Sequence, residues 1–171
     1  MKRKIALLAI VALTLTFMGA GFAEAGTTAN VSISATVSSS ATLTLANTTI
    51  TFANQTPSTA MTATENGSAV TATFRTASTA PGTLTVVAAG DLTDANSDII
   101  AITNLTSTAT NGTGTFFSAG PVTWSKTGAG ATVGTGPSGT YAGTFSWQLA
   151  NSWAYATGAY ATTAIYTLTA P

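Results

Sequence analysis

Residues 31–38 read Val-Ser-Ile-Ser-Ala-Thr-Val-Ser, so apolar and hydroxyl side chains alternate at every position. Successive side chains of a β-strand point to opposite faces, whereas an α-helix repeats its apolar residues every three or four positions. The stretch therefore predicts a strand with one apolar and one hydroxyl-bearing face. The apolar face consists of Val31, Ile33, Ala35 and Val37.

The same two-residue period continues along the chain. It includes Leu43 and Leu45; Ile50 and Phe52; Val70, Ala72 and Phe74; Leu84 and Val86; Ile100 and Ile102; Phe116; Val122 and Trp124; Tyr141, Phe145, Trp147 and Leu149; and Tyr160, Ala164, Tyr166 and Leu168. About ten short strands, with no room for crossover helices between them, predict one all-β domain, either a sandwich of antiparallel strands or a small barrel. The glycine-rich residues 127–139 are predicted to be a loop, and the similar segments 141–149 and 160–168 are predicted to form a hairpin.

Threonine accounts for 36 of residues 26–171. Its β-branched side chain favours strands, and its hydroxyl keeps an exposed strand face wetted without charge. Composition and period thus agree on a folded β protein.

The amino terminus is typical of a secretory signal peptide. Lys2, Arg3 and Lys4 precede an apolar run over residues 5–22, and Ala-Glu-Ala at residues 23–25 matches a small-x-small cleavage site. We expect cleavage after Ala25, which leaves residues 26–171 as a secreted or cell-surface domain with no membrane attachment of its own.

Few residues of that domain can carry chemistry, because it contains neither cysteine nor histidine. Its charged side chains are Arg75, Lys126, Glu65, Asp91, Asp94 and Asp98. Two basic side chains cannot neutralise a run of phosphates, so we expect no nucleic-acid partner. The groups that usually transfer protons or attack carbon are nearly missing, so we expect a protein that is not an enzyme and has no cofactor.

Asp94, Asn96 and Asp98 alternate after Gly90 in a pattern similar to the start of a calcium-binding loop. Ile99 stands where such a loop needs glycine, and Leu105 stands where it needs a bidentate glutamate. Asp and Asn also stabilise tight turns through hydrogen bonds to their own backbone. A solvated turn is the first interpretation and a cation site the second.

Trp153 and Tyr155 lie in the predicted connection over residues 151–158. Aromatic side chains there can pack over the end of the domain. They can also remain exposed and contact a sugar ring or another protein.

Residues 29–45, followed by Thr-Ile-Thr-Phe at residues 49–52 and a Tyr-containing end at residues 160–171, resemble secreted pilin-like proteins of the spore coat protein U and chaperone-usher type. The resemblance implies an incomplete immunoglobulin-like sandwich that donates its amino-terminal strand, residues 26–38, to the open groove of a neighbour. Val31, Ile33, Ala35 and Val37 would then fill the groove, and a periplasmic chaperone could assist. The family commonly has a cysteine near the end of this strand, where this chain has Ser38, Ser39 and Ser40.

The segment over residues 141–149, with Trp147-Gln148-Leu149, and the closing residues 167–171 also resemble Trp-x-Leu domains of bacterial cell walls. The two resemblances leave two functions open. The first is a structural subunit of a surface fibre or coat, whose partners are copies of itself or related subunits. The alternative is a self-contained module that binds polysaccharide or cell wall.

Overall fold

The computed structural model describes residues 32–77 and 79–171. The predicted signal peptide and residues 26–31 of the predicted donor strand, with Val31, lie outside these residues. The described chain forms β1 Ser40–Leu45, β2 Met61–Thr62, β3 Ser68–Arg75, β4 Gly82–Ala88, β5 Leu92–Thr93, β6 Ile99–Ile100, β7 Leu105–Thr113, β8 Val122–Thr123, β9 Ala131–Gly136, β10 Gly139–Leu149 and β11 Ala164–Thr169, with one 3₁₀ turn at Ile102–Asn104. The predicted all-β class is confirmed.

These strands form two main antiparallel sheets. The larger sheet has the order β1-β3-β10-β7-β8, with β2 paired to one end of β10. The smaller sheet has the order β11-β4-β9, and β5 and β6 form a separate hairpin. Consecutive strands often fall in different sheets, so most pairings join distant parts of the chain.

The core lies between the two main sheets. Every second residue of β3 and β4 is buried, as their sequence period predicts, and in β10 the buried residues are Tyr141, Phe145, Trp147 and Leu149. Aromatic rings of the larger sheet meet the smaller sheet directly, since the Phe145 ring stacks on Tyr166 with centroids 5.7 Å apart. The two sheets therefore pack face to face as a β-sandwich.

The predicted loop over residues 127–139 is wrong in its centre, because β9 occupies Ala131–Gly136. Here glycines serve close packing. A Cβ at Gly134 would stand only 2.7 Å from Cε1 of Phe116, and one at Gly136 only 3.2 Å from Cδ2 of the same ring. The lack of side chains lets Phe116 lie against this strand. It also gives the segment a low strand propensity, so the sequence does not predict β9.

Two further predictions differ from the structure. Segments 141–149 and 160–168 do not form a hairpin, because β10 belongs to the larger sheet and β11 to the smaller one. The strand predicted over residues 31–38 is also not formed within the described part, where residues 32–39 have no regular secondary structure. A strand needs a neighbour for its backbone hydrogen bonds, and the described chain gives this segment none.

Candidate assembly site

The predicted donor segment presents its apolar side chains to solvent. Ile33 is 89% exposed and Val37 is 69% exposed, and Ala35 between them is exposed as well. Burying one such β-branched side chain is worth about 1.5–3 kcal/mol. The segment therefore gains free energy from any groove that covers this face.

β11 forms one edge of the smaller sheet. Within the described ranges it pairs with β4 on one side only. Ala89 N donates to the carbonyl of Thr163, so the alternation of an antiparallel ladder directs Ile165 and Thr167 towards β4. The backbone groups of Ala164, Tyr166 and Leu168 then face the open edge. These are the groups that an added strand needs.

The core-facing side chains of β11 are only half-buried. Ala164, Tyr166 and Leu168 alternate with exposed Ile165, Thr167 and Thr169. β1, the corresponding edge of the larger sheet, follows the same rule, since Leu43 and Leu45 are half-buried. By contrast, the core-facing residues of β4 are fully buried. We call this pair of edges, β1 and β11 with their half-buried side chains, the open rim.

The opposite edge of the smaller sheet is covered. Residues 116–118 run beside β9, where Ser118 N donates to the Val133 carbonyl at 2.9 Å and Thr135 N donates to the Phe116 carbonyl at 2.9 Å. The side chain of Asn111 holds this segment, because its Oδ1 accepts from Phe117 N and its Nδ2 donates to the Phe117 carbonyl. Of the two edges of this sheet, β9 is therefore protected and β11 is open.

Tyr166 anchors β11, one of the two strands of the open rim, to the core. Its ring stacks on Phe145, and its hydroxyl accepts a hydrogen bond from Nε1 of Trp147 at 3.3 Å. Burial raises the pKa of Tyr166 to about 12. The strand that would accept a donor is thus fixed in place by the core below it.

Sequence reasoning named Leu43, Leu45, Ala164, Tyr166 and Leu168 only as core-facing residues of strands. Their role as a rim depends on which strands end each sheet, and the periodicity of a single strand does not contain that information. The nearest signal in the sequence is the alternation of Tyr166 and Leu168 with Thr167 and Thr169 in the last strand, which is typical of a half-buried strand.

Trp153 and Tyr155 have different environments. Trp153 is 77% exposed, whereas Tyr155 is half-buried and packs against the core. Tyr155 N donates to the Ser152 carbonyl at 3.2 Å, so a tight turn holds Trp153 outward. The two side chains therefore do not form one exposed aromatic surface.

Asp94, Asn96 and Asp98 form the turn between β5 and β6. Oδ1 of Asp94 accepts from Asn96 N at 2.9 Å and from Asp98 N at 2.8 Å. Ser97 completes the turn with a φ of 67°. No cluster of three or more potential metal-ligating side chains was found in the described ranges. The carboxylate of Asp94 is used to hold its own backbone.

Two other acidic side chains also bind the chain to itself. Asp91 forms an ion pair with Lys126 and accepts from Ile102 N at 2.9 Å, and the first of these contacts is the main reason that the pKa of Asp91 is lowered. Glu65 accepts from Thr51 N at 2.7 Å, which lowers the pKa of Glu65. Both carboxylates therefore have structural partners in the fold.

Among the described residues, no helix has the length and apolar character needed to cross a membrane. Comparison with protein-family models, with curated proteins and with solved structures found no match to this chain.

Proposed function

We propose that the protein is an exported structural subunit of a bacterial surface fibre or coat, and that its copies assemble by strand addition. The donor is the segment over residues 26–38, and the acceptor is the open rim of a neighbouring copy. In this proposal the domain is an immunoglobulin-like sandwich that a neighbour's strand completes. The supporting observation is that an exposed apolar strand sequence and an unpaired, half-covered strand edge occur in one chain.

The chemistry of the two sides is complementary. The donor offers branched apolar side chains at every second position, and the rim offers Leu43, Leu45 and Leu168 at half burial. Backbone pairing along β11 supplies affinity, and the alternate side chains supply register. The structural use of Asp91 and Glu65, and the lack of histidine and cysteine in the sequence, support a role without catalysis.

The experiment compares two carboxylates placed on opposite faces of the donor. Ile33→Asp puts a charge on the face that enters the rim, where burying it without a partner costs several kcal/mol. Ser34→Asp adds the same charge to the outward face. Size-exclusion chromatography with light scattering, and electron microscopy of the purified full chain, should show multimers for wild type and for Ser34→Asp but monomers for Ile33→Asp.

A peptide with the sequence of residues 26–38 provides an independent measurement. Added in excess to wild-type protein, it should occupy open rims and shorten the multimers, and a peptide carrying Ile33→Asp should have no effect. Wild-type protein that remains monomeric at every concentration would rule out assembly by donation.

The exposure of Trp153 supports a second candidate, a module that binds polysaccharide or cell wall. An exposed indole can stack on a sugar ring. Trp153→Ala should then abolish co-sedimentation with insoluble cell-wall polysaccharide and leave the multimers unchanged. Equal co-sedimentation of wild type and variant would exclude this use of Trp153.

A further inference from the structure

The outer face of the larger sheet carries threonines in rows that cross its strands. Side-by-side residues along these rows are Thr42, Thr73 and Thr140; Thr44, Thr71 and Ala142; Ala69, Thr144 and Thr110; Ser146 and Thr108; and Thr62, Gln148, Thr106 and Thr123. We call this face the threonine grid. Strand donation does not use it.

The grid has regular spacing across β1, β3 and β10, and a register shift between Ala142 and Gly143 interrupts it towards β7. Rows repeat every second residue, about 6.7 Å apart, and neighbouring strands lie about 4.8 Å apart. Thr73 Oγ1 donates to Thr140 Oγ1 at 3.2 Å, which places the side chains of adjacent strands at one level. A β-branched side chain has few rotamers, so each threonine presents its hydroxyl and methyl groups at a small number of positions. The face is a two-dimensional array of hydroxyl and methyl groups.

The grid carries no charged and no aromatic side chain among the residues named above, and Arg75 beside Ser40 marks its border. Lipid headgroups and nucleic acids need charge, and sugar recognition commonly uses aromatic rings. The lack of charged and aromatic side chains on the grid argues against these partners.

We propose that the threonine grid binds ice. A crystal of water is a neutral, periodic surface of hydrogen-bond donors and acceptors, and the repeat of the grid is close to that of the oxygen rows in the ice lattice. Each threonine hydroxyl can both donate to and accept from a lattice water. Thr71, Thr108 and Thr144 are half-buried, and their hydroxyls take part in none of the side-chain hydrogen bonds within residues 32–77 and 79–171, so they can bond to water.

The smaller sheet provides a contrast within the same molecule. Its outer face carries Thr169, Thr83 and Thr135 in one row, and Thr167, Thr85 and Thr132 in the next. Ile165 and Val87 then interrupt the pattern. Two rows on three strands make a much smaller array, so we assign ice binding to the larger face.

The test measures thermal hysteresis and inhibition of ice recrystallisation with the purified protein. Wild type should shape ice crystals into facets and slow their coarsening. Thr71→Lys places a strongly hydrated charge within the grid, between Thr44 and Ala142, and should remove most of both effects. Thr115→Lys adds the same charge to an exposed position outside the grid and should leave both effects unchanged.

Thr44→Lys, on the edge strand of the same grid, repeats the test at a position where folding is less sensitive, and circular dichroism checks that each variant is folded. Wild type that leaves ice crystals round would overturn the proposal. It would also be overturned by equal losses in Thr71→Lys and Thr115→Lys, or by a loss confined to Thr85→Lys on the smaller sheet. A third outcome is that ice crystals stay round while the protein binds polysaccharide or pairs with a second copy. If Thr71→Lys abolishes that binding or pairing, the grid would be assigned to that partner instead.

Discussion

Nε1 of Trp147 lies 3.3 Å from the hydroxyl oxygen of Tyr166 and donates a hydrogen bond to it across the sandwich. Trp147 belongs to β10 of the larger sheet, and Tyr166 belongs to β11 at the edge of the smaller sheet. The rings of Phe145 and Trp124 also contact Tyr166, with centroids 5.7 Å and 5.9 Å away. These three contacts of Tyr166 hold β11 in place, and the proposed assembly uses β11 as its acceptor strand.

Tyr166→Phe should lower the free energy of unfolding by about 1–3 kcal/mol, because it leaves the buried indole N–H of Trp147 without an acceptor. Urea unfolding followed by tryptophan fluorescence measures the change. Tyr160→Phe is the matched control. The hydroxyl of Tyr160 donates to the Ala156 carbonyl at an exposed site, so its loss should cost clearly less. Equal effects of the two variants would contradict the structural role of the Trp147 contact.

Alkaline pH should destabilise the protein through Tyr166. Its pKa is raised from the ordinary 10.0 to about 12 by burial, so the folded state keeps a proton that the unfolded state loses. This contribution to stability is complete below pH 10 and is lost as pH rises towards 12. Melting temperatures across this interval should fall less steeply for Tyr166→Phe than for wild type. Parallel curves would show that Tyr166 does not titrate as described.

Gly134→Ala should destabilise the sandwich by about 1–3 kcal/mol through overpacking, because its Cβ would stand 2.7 Å from the ring of Phe116. Gly120→Ala is the control, since a Cβ there meets nothing within 4 Å. Chemical denaturation of the two variants gives the difference. A Gly134→Ala protein as stable as the control would mean that Phe116 can move away at no cost.

The sequence alone predicted the strands whose own period marks a buried face. β3, β4 and β10 follow that period, and each strand is long enough to make its alternation visible. β9 was missed because the residues that fit it against Phe116 are glycines, and glycine normally signals a turn. Gly134 and Gly136 differ from turn glycines because the ring of Phe116, from another part of the chain, packs against them.

The arrangement of the strands could not be predicted in the same way. The likeness between segments 141–149 and 160–168 suggested a hairpin, yet β10 and β11 face each other across the core. Similar strands suit a sandwich as well as a hairpin, because both place one apolar face inward. The open rim follows from strand order, so only the fold could reveal it, whereas the alternation that suggests the proposed donor segment is present in residues 31–38 themselves.

A pair of proline substitutions in β11 tests the open edge directly. Ala164→Pro removes an N–H that faces the open edge and changes a small, half-buried side chain at the first residue of the strand, where proline is tolerated. The isolated subunit should keep its melting temperature, and its multimers should dissociate at a several-fold higher protein concentration, since one hydrogen bond is worth about 0.5–1.5 kcal/mol.

Ile165→Pro removes the next N–H, which faces β4, and should lower the melting temperature of the monomer itself. Analytical ultracentrifugation and thermal melts of both variants separate the two effects. If Ala164→Pro assembles as tightly as wild type, β11 does not receive the donor through this edge. The acceptor of the assembly would then be a different strand edge.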